Sequence, residues 1–192
     1  MSQPDNTSTS DAGTIAMSIA GILAQLGSGE RASLRRLDED AAGPAYWRLV
    51  ARHEVPARWA PLVRALAILT PRATANDDTE RPSLHDPRRK LGTVLCDGGL
   101  PDWPGQSPRP VLSERRLAQL LAAREAQRTI LLTRAIRAVA VRRDPRLGID
   151  VADLAFAFLR SNDAGAIAGP YYRRLDQAER TERTAEKDVT DA

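Results

Sequence analysis

Apolar residues recur along this chain every three to four positions, and no segment shows the strict alternation of apolar and polar residues that marks a half-buried strand. Aromatic residues make up only 4% of the sequence, whereas alanine, leucine and arginine, which favour helices, are abundant. We therefore predict an all-α fold. Helices are expected over about 14–26 and 28–37, from Pro44, over 56–69 and 88–95, after Ser113 and Asp150, and around Tyr171.

Two proline-rich stretches interrupt the helical pattern, the first a long loop at 71–87 and the second at 98–111. We predict two small helical bundles joined by the second Pro-rich loop. The N-terminal bundle would occupy 13–110, and the C-terminal bundle, with a basic face, 111–180. The polar ends of the chain are predicted to be disordered tails, at 1–12 and 181–192.

Positive charge is concentrated in one part of the sequence. Residues 112–147 contain nine arginines and three acidic residues, whereas the formal net charge of the whole chain is only +3. Such a cluster in a nearly balanced protein is typical of a surface that binds a phosphate backbone. All but two of the 28 basic residues are arginines. A codon bias explains that ratio better than phosphate binding does, so the argument depends on the clustering of the arginines.

Four arginines of this segment lie on one side of a helical wheel, opposite the leucines: Arg115, Arg116, Arg134 and Arg137. Two others would fall inside the apolar stripe of a single straight helix: Arg124 and Arg128. The pattern therefore predicts two helices with a break near 122–126, or a groove wall from which these arginines turn outward. An ordinary solvated helix face is the alternative interpretation of the whole cluster.

A second basic site is predicted at Arg31, Arg35 and Arg36, because the first two are four residues apart and share a helix face. A surface helix with salt bridges to the acidic residues at 38–40 explains this site about equally well. Trp47 and Trp59 are expected to anchor the core, whereas Trp103 lies between prolines and is open to exposure, base stacking or partner packing.

Several classes of function find no support in the sequence. There is no apolar run long enough to span a membrane, no signal-peptide pattern, and no common catalytic or nucleotide-binding motif. Cys96 is the only cysteine, and with two histidines it makes a poor zinc set. We therefore expect a cytoplasmic protein that is not an enzyme and that uses no metal or cofactor.

Four short motifs occur in a distinctive order and spacing. They are Gly29-Glu30-Arg31-Ala32-Ser33-Leu34-Arg35-Arg36, Pro44-Ala45-Tyr46-Trp47-Arg48-Leu49-Val50, Leu91-Gly92 with Leu95, and Ser113-Glu114-Arg115-Arg116-Leu117 with Leu120-Leu121. In this order, and over a helical pattern from about Ile15 to about Leu175, the chain resembles the small subunit of the type I-E CRISPR surveillance complex (Cascade), the CasB family.

The resemblance implies a non-catalytic subunit that self-associates as a pair and lies against the backbone and large subunits of Cascade. Its other partners would be the guide RNA (crRNA) and the target and non-target DNA strands. Basic positions of the family map onto Arg35, Arg36, Arg115, Arg116 and Arg134, and more loosely onto Arg58. Together with the charge pattern, the predicted nucleic-acid-binding residues are Arg31, Arg35, Arg36, Arg58, Arg115, Arg116, Arg134 and Arg137.

A second function remains open from the residues alone, that of a stand-alone DNA-binding transcriptional regulator with a helix-turn-helix. The turn would be Gly27-Ser28-Gly29. The helix that follows it has few asparagine, glutamine or serine side chains with which to read base edges.

Overall fold

The computed structural model describes residues 9–37, 42–53, 55, 57–71, 83–105, 109–160 and 163–190. Within these ranges the chain forms nine α-helices: α1 Thr9–Gln25, α2 Ser28–Arg35, α3 Pro44–His53, α4 Ala60–Leu69, α5 Leu91–Asp97, α6 Glu114–Ala122, α7 Glu125–Arg142, α8 Val151–Leu159 and α9 Ala164–Thr190. A single 3₁₀ turn, Ala57–Trp59, precedes α4. The described residues contain no β-strand, and the prediction of an all-α fold is confirmed.

One connected cluster of buried apolar side chains draws on all nine of these helices. The most extensive packing joins α1 to α8, α4 to α7 and α5 to α9, so each pair crosses the boundary near residue 110. Gly13 of α1, for example, lies directly against Ala152 of α8. The predicted two-bundle layout is therefore not confirmed, because each half covers the apolar faces of the other.

The ends of the chain differ from the predicted tails. Helix α1 already begins at Thr9, and α9 continues to Thr190 through residues assigned to the second tail. The segment 181–190 contains neither glycine nor proline, and Glu, Arg, Ala and Lys make up half of its residues, so it can extend an existing helix. Residues 1–8 and 191–192 lie outside the described part of the chain.

The basic segment forms two helices, which is one of the two arrangements predicted from the positions of Arg124 and Arg128. Helix α6 ends at Ala122, α7 begins at Glu125, and Arg124 between them has an extended backbone. Helix α8 starts where predicted, because the Asp150 carboxylate accepts hydrogen bonds from the backbone N–H groups of Ala152 and Asp153.

The tryptophans follow the predictions only in part. Trp59 is 1% exposed and anchors the core as predicted, but Trp47 is 51% exposed, so its assignment to the core is wrong. The neighbouring Tyr46 takes the inward position instead. Trp103 is buried beneath Arg174 and is not open to stacking. Cys96 is buried as predicted, and burial raises the pKa of its thiol to about 12.

Arg128 is buried beside a small cavity of about 120 Å³ between α7 and the end of α8. Its Nε and Nη1 atoms have no hydrogen-bond partner among the described residues. Burial lowers the pKa of Arg128, and the nearby positive charge of Arg124 lowers it further. The side chain is thus a largely desolvated cation whose cost to stability is offset only in part by the negative charge of Asp163.

We expect Arg128→Met to raise the free energy of unfolding by about 1–2 kcal/mol, because a buried charge is replaced by an apolar side chain of similar length. Urea denaturation would measure the change. Arg134→Met, at an exposed position of the same helix, is the matched control and should leave the midpoint nearly unchanged. A lower midpoint for Arg128→Met than for the wild type would contradict this account.

Candidate nucleic-acid interface

A groove of about 590 Å³ runs between α4 and α7. Three arginines line it, Arg64 from α4 and Arg134 and Arg137 from α7, and no acidic residue is found among its described lining residues. The remaining walls are small or apolar: Leu37, Ala60, Pro61, Ala126, Thr129, Ile130 and Thr133. Arginines beside small and apolar side chains suit a ligand with an anionic backbone and flat apolar parts.

A second groove, of about 680 Å³, continues along the same two helices. Arg137 lines both grooves, and Arg35 and Val141 line the second. We call the two together the basic groove, and its arginines are Arg35, Arg64, Arg134, Arg137 and Arg143. From Ala126 to Val141 its α7 wall is about 22 Å long at the helical rise of 1.5 Å per residue.

The spacing of α7 places its arginines in this wall. Ile130, Arg134, Arg137 and Val141 are four, three and four residues apart, so they form one stripe along the helix. All four are exposed. The opposite face of α7 is buried in the core through Leu132, Ala135, Ile136 and Val139. Packing of that face against α4 fixes which way the stripe points.

Two arginines of the second predicted site are bound to the end of α4. The Nη1 atom of Arg31 donates to the carbonyl of Pro71 at 3.1 Å, and Arg31 is only 3% exposed. Arg35 donates from Nε to the carbonyl of Ala67 and from Nη2 to that of Thr70, both at 2.8 Å. These carbonyls have no partner further along the helix, and cations near a helix C-terminus are favourable.

Arg143 is the third arginine at this helix end. Its Nη2 donates to the carbonyl of Leu69 at 2.5 Å, and its Nη1 donates to the carbonyl of Leu147. Burial lowers the pKa of Arg143 to about 10, and the positive charge of Arg89 contributes. Arg31 therefore serves the fold, whereas Arg35 and Arg143 combine a structural role with a position at the groove.

The same contacts bear on the helix-turn-helix alternative. Arg31 and Arg35 tie α2 to the end of α4, and Leu34 of α2 is buried in the core. A recognition helix has to project into the major groove of DNA. The packing of α2 thus disfavours the alternative.

The remaining predicted residues lie at the margin of the groove or apart from it. Arg36 is exposed and directly precedes Leu37, which lines the groove. Arg58, also exposed, lies in the 3₁₀ turn before α4. Arg115 and Arg116 are exposed in the first turn of α6 and do not line the groove, so they form a separate basic patch.

Arg64 lines the groove but was missed by the charge analysis. It is a single base within the otherwise uncharged helix α4, so no cluster marked it. The sequence could have indicated Arg64 through its position on the helix. Pro61, Arg64 and Ile68 share one face, and they are the only half-buried positions of α4. The Nε atom of Arg64 is buried and has no hydrogen-bond partner in the described part of the chain.

His85, outside the groove, has a structural role. The imidazole Nδ1 of His85 accepts a hydrogen bond from the backbone N–H of Val151, at the start of α8. Among the described residues no group of three or more His, Cys, Asp and Glu side chains is arranged to hold a metal ion. The Asp77-Asp78 pair and the side chain of His53 lie outside what the structure describes. Nor does any described helix combine the length and apolar character that a membrane span requires.

Comparison with protein families gives one result. A family model described as CRISPR-associated protein Cse2 matches residues 30–183, from α2 into α9. The matched range contains every arginine of the basic groove and both arginines of the α6 patch. No curated protein and no solved structure matches the chain.

Proposed function

This chain belongs to the family of the CRISPR-associated protein Cse2, the small subunit of type I-E Cascade, and from that premise we propose that it holds nucleic-acid strands in the complex without catalysing a reaction. The observation that carries the proposal is the basic groove between α4 and α7, which five arginines line with no acidic residue among its described lining. The strands concerned are the guide RNA–target DNA hybrid and the displaced DNA strand, in the cytoplasm.

The proposed mechanism divides recognition between base pairing and backbone contact. Pairing with the guide reads the sequence, and exchange of a DNA duplex for an RNA–DNA hybrid is close to balanced in free energy. A few kcal/mol from arginine–phosphate contacts then decides how long the opened loop persists. Such contacts give affinity without sequence preference, which suits a complex that has to accept any guide.

The length of the groove fits a single strand running along it. Exposed Ile130 and Val141 lie at either end of the arginine pair in α7, so apolar surface is available to bases on both sides of the bound phosphates. The exposed Arg36 and Arg58, close to one end, and the α6 patch extend the basic surface for longer strands.

We expect the double substitution Arg134→Ala with Arg137→Ala to weaken binding of a single-stranded oligonucleotide. It should also lower the magnitude of the slope of log K against log salt by about 1.4, because each phosphate contact to a single strand contributes about 0.7. Fluorescence anisotropy over a salt series measures this slope, and R-loop lifetime in the reconstituted complex measures the consequence.

The matched control is Arg173→Ala with Arg180→Ala, two exposed arginines of α9 outside the groove, which should leave the slope unchanged. Arg115→Ala with Arg116→Ala tests the α6 patch in the same way. If Arg134→Ala with Arg137→Ala changes neither the slope of log K against log salt nor the R-loop lifetime, the groove is not the strand-binding surface. If only the α6 pair changes them, the interface lies on α6.

A further inference from the structure

Arg128 is a buried cation that no described residue pairs with. It lies in the first turn of α7 and is only 4% exposed. Its Nε and Nη1 atoms are enclosed, and its Nη2 atom, which is not enclosed, forms no hydrogen bond with a described residue either. The negative charge of Asp163 offsets part of the positive charge without forming an ion pair. Buried guanidinium groups in proteins are almost always paired, so this one indicates a ligand.

The guanidinium lies beside the cavity of about 120 Å³ between α7 and the end of α8. The polar residues of the cavity wall, besides Arg128, are Glu125 and Thr129. The Thr129 hydroxyl donates to the backbone carbonyl of Glu125 at 3.5 Å, within the same helix. The rest of the described wall is apolar: Leu132, Ala157, Phe158 and Leu159. The cavity shares only Thr129 with the described lining of the basic groove, so it is a separate site.

The start of α7 adds positive potential at the same place. The first N–H groups of a helix have no acceptor within the helix, and with the helix dipole they favour an anion. No side-chain hydrogen bond caps α7. The guanidinium of the N-cap residue Arg124 instead donates to the carbonyls of Leu121 and Ala123, at the end of α6 and just after it, both at 3.2 Å. The uncapped helix end and the unpaired Arg128 therefore favour the same kind of ligand.

We infer that this cavity binds one carboxylate group through the Arg128 guanidinium. Guanidinium–carboxylate hydrogen bonds are charge-assisted, and a bound carboxylate would compensate the buried charge. The cavity is much smaller than the two parts of the basic groove, at about 590 and 680 Å³, and has no room for a nucleotide. Its apolar wall suits the carbon that carries a carboxylate, and the negative charge of Glu125 disfavours an anion of higher charge such as phosphate.

Acetate is the probe for the full-length protein. In urea denaturation, acetate should stabilise the wild type relative to chloride at the same ionic strength. The folding equilibrium constant should rise about tenfold at an acetate concentration about ten times the dissociation constant, because the unfolded chain has no such site. Arg128→Met should not respond to acetate, whereas Arg173→Met, at an exposed position of α9, should respond like the wild type. Equal responses of the wild type and Arg128→Met would overturn the inference.

Nuclear magnetic resonance of the arginine Nε–H groups locates the bound acetate independently of stability. The resonance that is absent from the spectrum of Arg128→Met belongs to Arg128. It should shift during an acetate titration, and the dissociation constant from the shift should agree with that from unfolding. Glu125→Gln should lower this constant, because it removes a negative charge from the cavity wall. If the Arg128 resonance does not shift, the cavity holds only water and the inference is wrong.

Inorganic phosphate tests the class of anion. Tighter binding of phosphate than of acetate at Arg128 would overturn the assignment to a carboxylate. A smaller slope of log K against log salt for oligonucleotide binding by Arg128→Met would also overturn it, because Arg128 would then contact a nucleic-acid phosphate.

Assembly with the other Cascade subunits identifies the source of the carboxylate. If an acidic side chain of a partner subunit fills the cavity, acetate should weaken assembly of the wild type at constant ionic strength. Arg128→Met should then assemble weakly whether or not acetate is present. If the ligand is a free small acid, acetate should leave assembly unchanged while it still shifts the Arg128 resonance. Either result supports the carboxylate site.

Discussion

Gly92→Ala is expected to lower the free energy of unfolding by about 3 kcal/mol or more, at or beyond the upper end of the usual cost of overpacking. A Cβ atom at Gly92 would lie 2.0 Å from the carbonyl oxygen of Ile167 and 2.9 Å from the backbone nitrogen of Tyr171. Both atoms belong to the backbone of α9, so no side-chain rotation relieves the collision. The two helices would have to separate, and the α5–α9 contact is the most extensive between any two of the described helices.

Gly21→Ala is the matched control, because Gly21 lies inside α1 and a Cβ there would meet nothing within 4 Å. It should stabilise the chain by about 0.5–1 kcal/mol through the higher helix propensity of alanine. Urea denaturation of both variants measures the difference. Equal unfolding midpoints for Gly92→Ala and the wild type would show that α5 and α9 can move apart freely, which the packing does not allow.

The Gly92 contact also explains one of the motifs that carried the family resemblance. Leu-Gly pairs occur in many unrelated sequences. The role of Gly92 depends on its contact with α9, a helix that starts more than seventy residues later. Periodicity compares residues within one helix, so it predicted the short helix but not the partner against which the glycine lies.

The break between α6 and α7, in contrast, was predictable because it depends on residues of one segment and not on a distant helix. Arg124 and Arg128 could not both belong to the polar face of one straight helix, and that conflict is visible within a single segment. The burial of Arg128 was not predictable, because the residues that cover it belong to the end of α8.

The surface of α3 shows a further limit of pattern analysis. Tyr46 and Trp47 are adjacent aromatic residues about 100° apart on the helix, and both are candidates for the core. Which one turns inward depends on the neighbouring helices. Tyr46 is buried in the core, and Trp47 is exposed on the surface of α3.

The arginines proposed to bind nucleic acid could be predicted from the sequence as a charged set, but their individual positions in the structure could not. Arg31 and Arg35 form hydrogen bonds with carbonyls 32 to 40 residues further along the chain, so nothing in their own segment showed that they serve the end of α4. Arg134 and Arg137 reached the surface as predicted because their helix is amphipathic. The other wall of the groove is formed by α4, which contributes Arg64.

Arg174→Met is expected to lower the free energy of unfolding by about 3–5 kcal/mol, the cost of leaving one partner of a buried ion pair alone. The Nε atom of Arg174 donates to the carboxylate of Asp97 at 2.8 Å, and the two side chains are only 12% and 4% exposed. The Nη2 atom of Arg174 also donates to the carbonyls of Pro101 and Trp103, at 3.0 and 2.8 Å. One guanidinium therefore fixes the end of α5 and the loop after it to α9.

A double-mutant cycle separates the ion pair from the loop contacts. Asp97→Asn keeps an oxygen that can accept the backbone N–H of Gly99 but removes the charge. With no buried carboxylate to leave uncompensated, Arg174→Met should cost much less in the Asp97→Asn background, with a coupling of about 1–3 kcal/mol. Arg173→Met, at the exposed neighbouring position, should leave the midpoint nearly unchanged. Additive effects of the two substitutions would mean that Asp97 gains nothing from Arg174, and the loop carbonyls would then account for the whole loss. A coupling near the upper end of the expected range would instead make this ion pair the main reason that the arginine on α9 stabilises the contact with α5.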